Sequence, residues 1–204
     1  MTDFAALLQP DRGQSARTLH LVHPQEWEGW LKAQSARTRA LIAAHRLTGK
    51  AGDKAILAGD KGDDWSALLV CDEPVESPWR IASQPGVLPP GSYRLVTGDR
   101  HKGFGAAGLG WLLAQHRFER YKKDKAEEPR ILLTDEPARI DATVRLAEAT
   151  ALVRDLIDTP ASDMGPADLA AAVEAVGKAH GATVTVTKGD ALEKGYPLIQ
   201  AVGQ

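Results

Sequence analysis

An α/β fold, with a mixed or mostly parallel sheet flanked by helices, is predicted by three features of the 204-residue chain: β-prone runs alternate with stretches of helical periodicity, Pro and Gly mark the boundaries between them, and 43% of the residues are hydrophobic with no long apolar run. A chain of this length holds one large or two small domains with a real apolar core.

The elements follow in order. Thr18 to Val22 reads as a strand, and Pro24 then opens a helix that carries Trp27, Trp30 and Leu31 on one face. Ser35 to His45 reads as a second helix, ending near Gly49 and Gly52. Ala55–Leu57 and Ser66–Cys71 read as strands joined by the polar turn Gly59 to Asp64. A Pro/Gly-rich stretch leads to a strand at Tyr93–Val96 and to the glycine-rich segment Gly98–Gly110. From about Leu109 to Lys122, Trp111, Leu112, Gln115 and Phe118 recur at helical spacing, and Ile131–Thr134 forms another strand. The first domain closes near residue 137.

Beyond it, Asp141 is placed as the N-cap of a helix with an apolar stripe of Leu146, Ala149, Val153, Leu156 and Ile157, while Arg145, Glu148 and Arg154 face water. The helix stops before Pro160. Pro166 opens the next, with Leu169, Ala172, Val173 and Val176 on its buried face and Gly181 as its C-terminal cap. Thr183 to Thr187 alternates as a strand, Asp190 to Lys194 suits one more helical turn, and Leu198 to Val202 is an apolar phrase. A single helix and strand after a connecting helix do not bury both faces of the sheet they imply, so further chain is expected downstream.

The formal net charge is −2 and charges of both signs are interleaved, which gives no electrostatic basis for nucleic-acid or membrane binding; small polar or neutral partners are expected. Met1 to Gln14 lacks a basic start followed by a long apolar run, and no later stretch reaches the ~20 apolar residues of a membrane span. Cys71 is the single cysteine and reads as a buried thiol in a strand, so the expected compartment is the reducing cytoplasm.

Several residue groups resemble sites. Asp60, Asp63 and Asp64 lack the calcium-loop spacing and read as a solvated hairpin turn. Gly103-Phe104-Gly105-Ala106-Ala107-Gly108 matches the dinucleotide pattern after a strand and before a helix. Yet His101 and Lys102 separate it from the strand, and Asp135 lies further along than the usual ribose partner, so close packing of helix on sheet explains its small residues at less cost. His20 and His23 point to opposite faces of a strand and cannot share a metal. The basic run Lys122, Lys123 and Lys125 is interrupted by Asp124 and followed by Glu127 and Glu128, as at a solvated helix end.

Two phrases carry a family resemblance. Arg154-Asp155-Leu156-Ile157-Asp158-Thr159-Pro160-Ala161-Ser162-Asp163-Met164-Gly165-Pro166 resembles the stretch between the interdomain helix and the first catalytic-domain helix of the leucine aminopeptidases (leucyl or cytosol aminopeptidases), a family of two-metal exopeptidases. Leu109-Gly110-Trp111 through Arg117-Phe118 to Arg120-Tyr121-Lys122-Lys123 is similar to the last helix of their N-terminal domain. The match looks continuous from Asp141 to Val202-Gly203 and loose before residue 90. Asp158 stands where the family usually has Asn; either side chain bonds nearby backbone groups.

The resemblance implies an N-terminal α/β accessory domain over 1–137, an interdomain helix over 138–160 and the beginning of a catalytic peptidase domain over 161–204. It implies removal of N-terminal, often leucine-like, residues from peptides by two divalent metals (Mn or Zn) about 3.5–4 Å apart, and a homohexameric assembly. The family's metal ligands lie downstream of the region matched, so no catalytic, cofactor-binding or metal residue is carried onto this sequence, and the 204 residues alone are expected to be inactive. Two other readings stay open: a nucleotide-binding α/β protein using Gly103–Gly108, and a non-catalytic assembly subunit.

Overall fold

The alternating apolar runs form six strands in one mixed sheet. A computed structural model describes residues 2–59, 61, 63–122 and 128–202 of the protein. Contacts divide the chain into two units, residues 1–153 and 154–204. In the first, a short helix α1 (Phe4–Leu7) runs into β1 (Leu8–Pro10) and β2 (Arg17–Val22) follows. Next come α2 (Trp27–Lys32), α3 (Ala36–Ala44), β3 (Lys54–Ala58), β4 (Trp65–Val70) and β5 (Gly91–Thr97). The unit is completed by α4 (Ala107–Leu113), β6 (Arg130–Thr134) and most of α5 (Ile140–Asp158).

The strand order is β1-β6-β5-β2-β4-β3, and every neighbouring pair is parallel except β3 with β4. The antiparallel pair is the hairpin expected at Gly59–Asp64, closed by Gly59 N–H donating to the Asp64 carbonyl at 2.7 Å. Central strands are apolar on both faces because helices cover both. Leu19, Leu21, Ala67, Leu69, Tyr93 and Leu132 join one core with Phe4, Trp111 and Leu112. Val22, Leu68 and Val70 join the other with Trp27, Ile42 and Leu57. Ser35 caps α3, its Oγ accepting from Thr38 N–H at 3.1 Å.

Helix α4 is shorter than the sequence pattern from Leu109 to Lys122 suggests. It ends at Leu113 because the next residues are recruited by β6: the Gln115 amide donates to the Arg130 carbonyl at 3.0 Å and accepts from Arg130 N–H at 3.2 Å. Trp111 donates its indole N–H to the same carbonyl at 2.8 Å. Within α4, Gly110 lies so close to the turn at Pro78–Ile81 that a Cβ there would stand 1.7 Å from the Pro78 carbonyl oxygen.

Helix α5 begins one residue before Asp141, after a 3-10 turn at Pro137–Arg139, so Asp141 lies inside the first turn rather than at the N-cap. Its acid still suits the helix's positive end. The face against the core is Val144, Ala147 and Ala151, while Leu146, Val153 and Ile157 of the expected stripe are exposed.

In the second unit the Thr159 hydroxyl donates to the Asp155 carbonyl at 2.6 Å, closing α5 before Pro160. Helix α6 (Pro166–Ala179) ends as expected at Gly181, whose φ of +68° and the Ala182 N–H to Gly177 carbonyl bond of 2.8 Å make a Schellman cap. Its expected buried face is not buried: Leu169, Val173 and Val176 are exposed, with no covering element among the described residues. Thr183–Thr187 forms no strand, since no neighbouring strand of this unit lies among the described residues to take its backbone bonds. Helices α7 (Asp190–Gly195) and α8 (Pro197–Val202) follow.

Candidate functional site

Strands β1, β6 and β5 are parallel neighbours, so their carboxyl ends open on the same edge of the sheet. In open α/β sheets that edge is where ligands bind. A cleft of about 160 Å³ lies there. Asp11 follows β1, β6 contributes Leu133 with Asp135 just beyond its end, and β5 contributes Arg94, Leu95 and Thr97. The backbone at Gly103 and Phe104 closes the other side.

Asp11 and Arg94 form the cleft's ion pair. The guanidinium Nε and Nη2 both donate to the Asp11 carboxylate, the second at 2.9 Å, and Nη2 also donates to the Gln14 carbonyl at 3.0 Å. Hydrogen bonds from Arg94 and from Gly13 N–H hold the Asp11 carboxyl down to about 2, from an ordinary 3.8. A carboxyl lowered on folding contributes stability that is fully present above its unfolded value and is lost as pH falls through its folded one. Stability is therefore expected to drop between about pH 3.8 and pH 2, and acid titration of the Asp11→Asn variant should lack that part of the decline.

The glycine-rich loop beside the cleft is gripped from both sides. Buried Arg80 donates to the carbonyls of His101 (3.4 Å), Gly103 (3.3 Å) and Phe104 (2.7 Å). The Glu136 carboxylate accepts the Phe104 amide at 3.1 Å, and Gly105 N–H also bonds to it. Burial pushes the Glu136 carboxyl up, but its bonds with Arg139 and these two amides outweigh that and hold it below its ordinary value. Gly103 and Gly105 have φ of +91° and +55°, and a Cβ on Gly105 would stand 2.2 Å from the Val75 carbonyl oxygen.

This arrangement answers the nucleotide-binding alternative at Gly103–Gly108. The loop amides that would cradle a pyrophosphate are occupied by Glu136, and the helix that follows has 7 residues. The glycines serve close packing: a Cβ on Gly108 would meet the Phe104 ring at 2.6 Å. Removing the carboxylate in Glu136→Ala should cost the loop about 1–2 kcal/mol. Hydrogen exchange at the Phe104 and Gly105 amides is then expected to accelerate about 5–30-fold, with the strand amides unchanged.

His20, His23 and His101 make structural contacts. His20 packs edge-on against Trp30, and burial pushes its imidazole down. His23 follows β2, and its Nδ1 accepts from Gln25 N–H at 3.1 Å. His101, buried, sets Nε2 2.8 Å from the Cys71 carbonyl, and burial pushes it below the ordinary histidine value. The Cys71 thiol is buried and raised by that burial, as an inert thiol should be. Asp64 pairs with Arg17 at 3.6 Å at an exposed position. Asp60 and the run Lys123, Asp124, Lys125 and Glu127 lie outside the described residues. Among the described residues no three His, Cys, Asp or Glu side chains converge to hold a metal, and no helix is long and apolar enough to cross a membrane.

The cleft itself was not anticipated from sequence. Asp11, Arg94 and Asp135 are far apart in the chain and meet only because β1, β6 and β5 are neighbours. Arg80 gave no signal either, sitting in a Pro-started turn with no periodicity.

Comparison with known proteins places this geometry. Residues 18–134 match the family described as "M17 aminopeptidase, N-terminal domain". A protein of Streptomyces avermitilis named "probable cytosol aminopeptidase" is 33% identical over 114 residues, which is 48% of this chain and 22% of that protein. The cytosol aminopeptidase structure from Coxiella burnetii superimposes with a TM-score of 0.80 at 28% identity, covering 96% of this chain and 42% of that one. The bottromycin maturation enzyme BotP, solved in complex with Mn, shares the fold with a TM-score of 0.64 at 19% identity over 88% of this chain and 40% of its own. The chain thus spans less than half the length of these relatives.

Proposed function

The chain belongs to the M17 aminopeptidase family through its N-terminal domain, and from that premise we propose that it is the front portion of a cytoplasmic metalloaminopeptidase that removes leucine-like N-terminal residues from peptides. The observation that carries the reading is the match over 18–134 together with the 96% coverage of this chain by the Coxiella burnetii cytosol aminopeptidase fold. Residues 1–137 act as the accessory domain, 138–160 as the interdomain helix and 161–204 as the beginning of the catalytic domain. The accessory domain shapes access to the active site and contributes to a homohexamer. The near-neutral charge supports peptides as partners, in place of nucleic acid or membrane.

Two divalent metals, Mn or Zn, supply the chemistry in this reading by activating water and polarising the scissile carbonyl. The described residues do not fit such a pair, because no carboxylate cluster is present among them. No step of hydrolysis is assigned to them. The exposed apolar faces of α6 and α8, with Leu169, Val173, Leu198 and Ile199, suit burial against the rest of a catalytic domain.

The test is hydrolysis of L-leucine p-nitroanilide by the full-length product of the parent gene and by residues 1–204. The parent should be active, lose activity on chelation and regain it with Mn or Zn, while 1–204 stays inactive. An inactive parent in the presence of either metal would overturn the reading.

A further inference from the structure

The cleft at the ends of β1, β5 and β6 leaves two charged groups unmatched, one donor and one acceptor, together with one hydroxyl. Arg94 carries five N–H donors. Three are taken, by the two Asp11 oxygens and the Gln14 carbonyl, and the Nη1 pair has no acceptor among the described residues. Asp135 is exposed and its carboxylate has no hydrogen-bond or ion-pair partner among the described residues; the Thr97 hydroxyl likewise has none. Because Asp11 and Arg94 neutralise each other, the cleft's net charge is that of Asp135.

We propose that this cleft is a binding site for a free α-amino acid, with the ligand's ammonium on Asp135 and Thr97, its carboxylate on the Nη1 edge of Arg94, and its side chain against Leu133, which shares the face of the sheet that carries Arg94. A zwitterion meets both unmatched groups at once and adds no net charge, which a simple anion or an apolar molecule does not. A volume of about 160 Å³ restricts the ligand to this size class, since drug-sized ligands occupy roughly 300–1,000 Å³. The backbone that closes the cleft at Gly103 and Phe104 is tied through Glu136 to the turn that starts α5. The site goes beyond the peptidase reading and does not depend on it, being built wholly from residues 11–135.

The test uses the 204-residue protein, isotopically labelled, titrated with L-leucine, with 4-methylpentanoate (no ammonium) and with L-leucinamide (no carboxylate). L-leucine should shift the Thr97, Phe104 and Asp135 amides saturably, with a Kd on the order of 1 mM. Leucinamide should bind several-fold more weakly and 4-methylpentanoate not at all. Asp135→Asn should weaken L-leucine by about tenfold while leaving the remaining amide spectrum in place. Equal shifts from 4-methylpentanoate, no saturable shift from L-leucine, or unchanged affinity in Asp135→Asn would each overturn the proposal. The ligand series on the unaltered protein decides the matter even if the variant misfolds.

Discussion

Replacing Arg80 with Met should lower the unfolding free energy by about 3–5 kcal/mol. Arg80 is 1% exposed and donates to three carbonyls of the loop that walls the cleft. Methionine fills much of the same volume, so the loss comes from polar atoms rather than a void: three carbonyls lose a charged donor, and the bonds to those of His101 and Phe104 are buried away from water. Urea unfolding should show a lower midpoint with an unchanged slope, as expected for a change in stability without a change in buried surface. Lysine restores the charge but not the planar fork, so Arg80→Lys should recover only part of the loss. A shift under about 1 kcal/mol in Arg80→Met would mean that the loop's carbonyls find other donors.

Gly110→Ala should be comparably severe, at about 3 kcal/mol or more. Overpacking usually costs about 1–3 kcal/mol because side chains move aside. Here the obstacle is the Pro78 carbonyl, 1.7 Å from where the new Cβ would sit, with the Ala82 methyl at 3.3 Å, and backbone has no rotamer to escape into. The contrast is Gly29 in α2, where a Cβ meets nothing within 4 Å. Gly29→Ala should be neutral or stabilising by about 0.5–1 kcal/mol, since alanine relieves the entropic penalty of a helical glycine. Thermal melts of the two variants should therefore move in opposite directions.

The elements that the sequence reveals are those whose periodicity is local. Strands β2 to β6 were legible because their β-prone apolar runs are bounded by Gly, Pro or charged residues, and α3 because Ser35 and the residues around Gly49 mark its ends. Helix α1 and strand β1 were missed, since four and three residues are too few to show a period. Strand β1 is a strand only because β6 pairs with it, through Leu8 with Leu132 and Pro10 with Thr134.

The misjudged helix faces share one cause. Periodicity identifies an apolar side, but which side is covered depends on what lies opposite. In α5 the small residues Ala147 and Ala151 face the core and the larger Leu146 and Val153 face out; in α6 the apolar side has no covering element among the described residues. The glycine-rich segment packs closely as expected, but chiefly against Val75, Phe104 and the Pro78–Ile81 turn in place of the sheet, and its two anchors, Arg80 and Glu136, stand more than 20 residues away on either side and carry no motif of their own. The cleft follows from strand order, which no local pattern encodes.

Under the proposed function these 204 residues are the front portion of an M17 aminopeptidase whose metal ligands lie in a further part of the same polypeptide. Reading the source coding region beyond the codon for Gln204 tests it most directly. An open frame containing a lysine, an Asp-Thr-Gly-Gly phrase and further acidic residues is the expected result, and it would supply the metal-binding set that the family resemblance implies. A stop codon directly after Gln204 would contradict the claim and leave this product with a binding or assembly role.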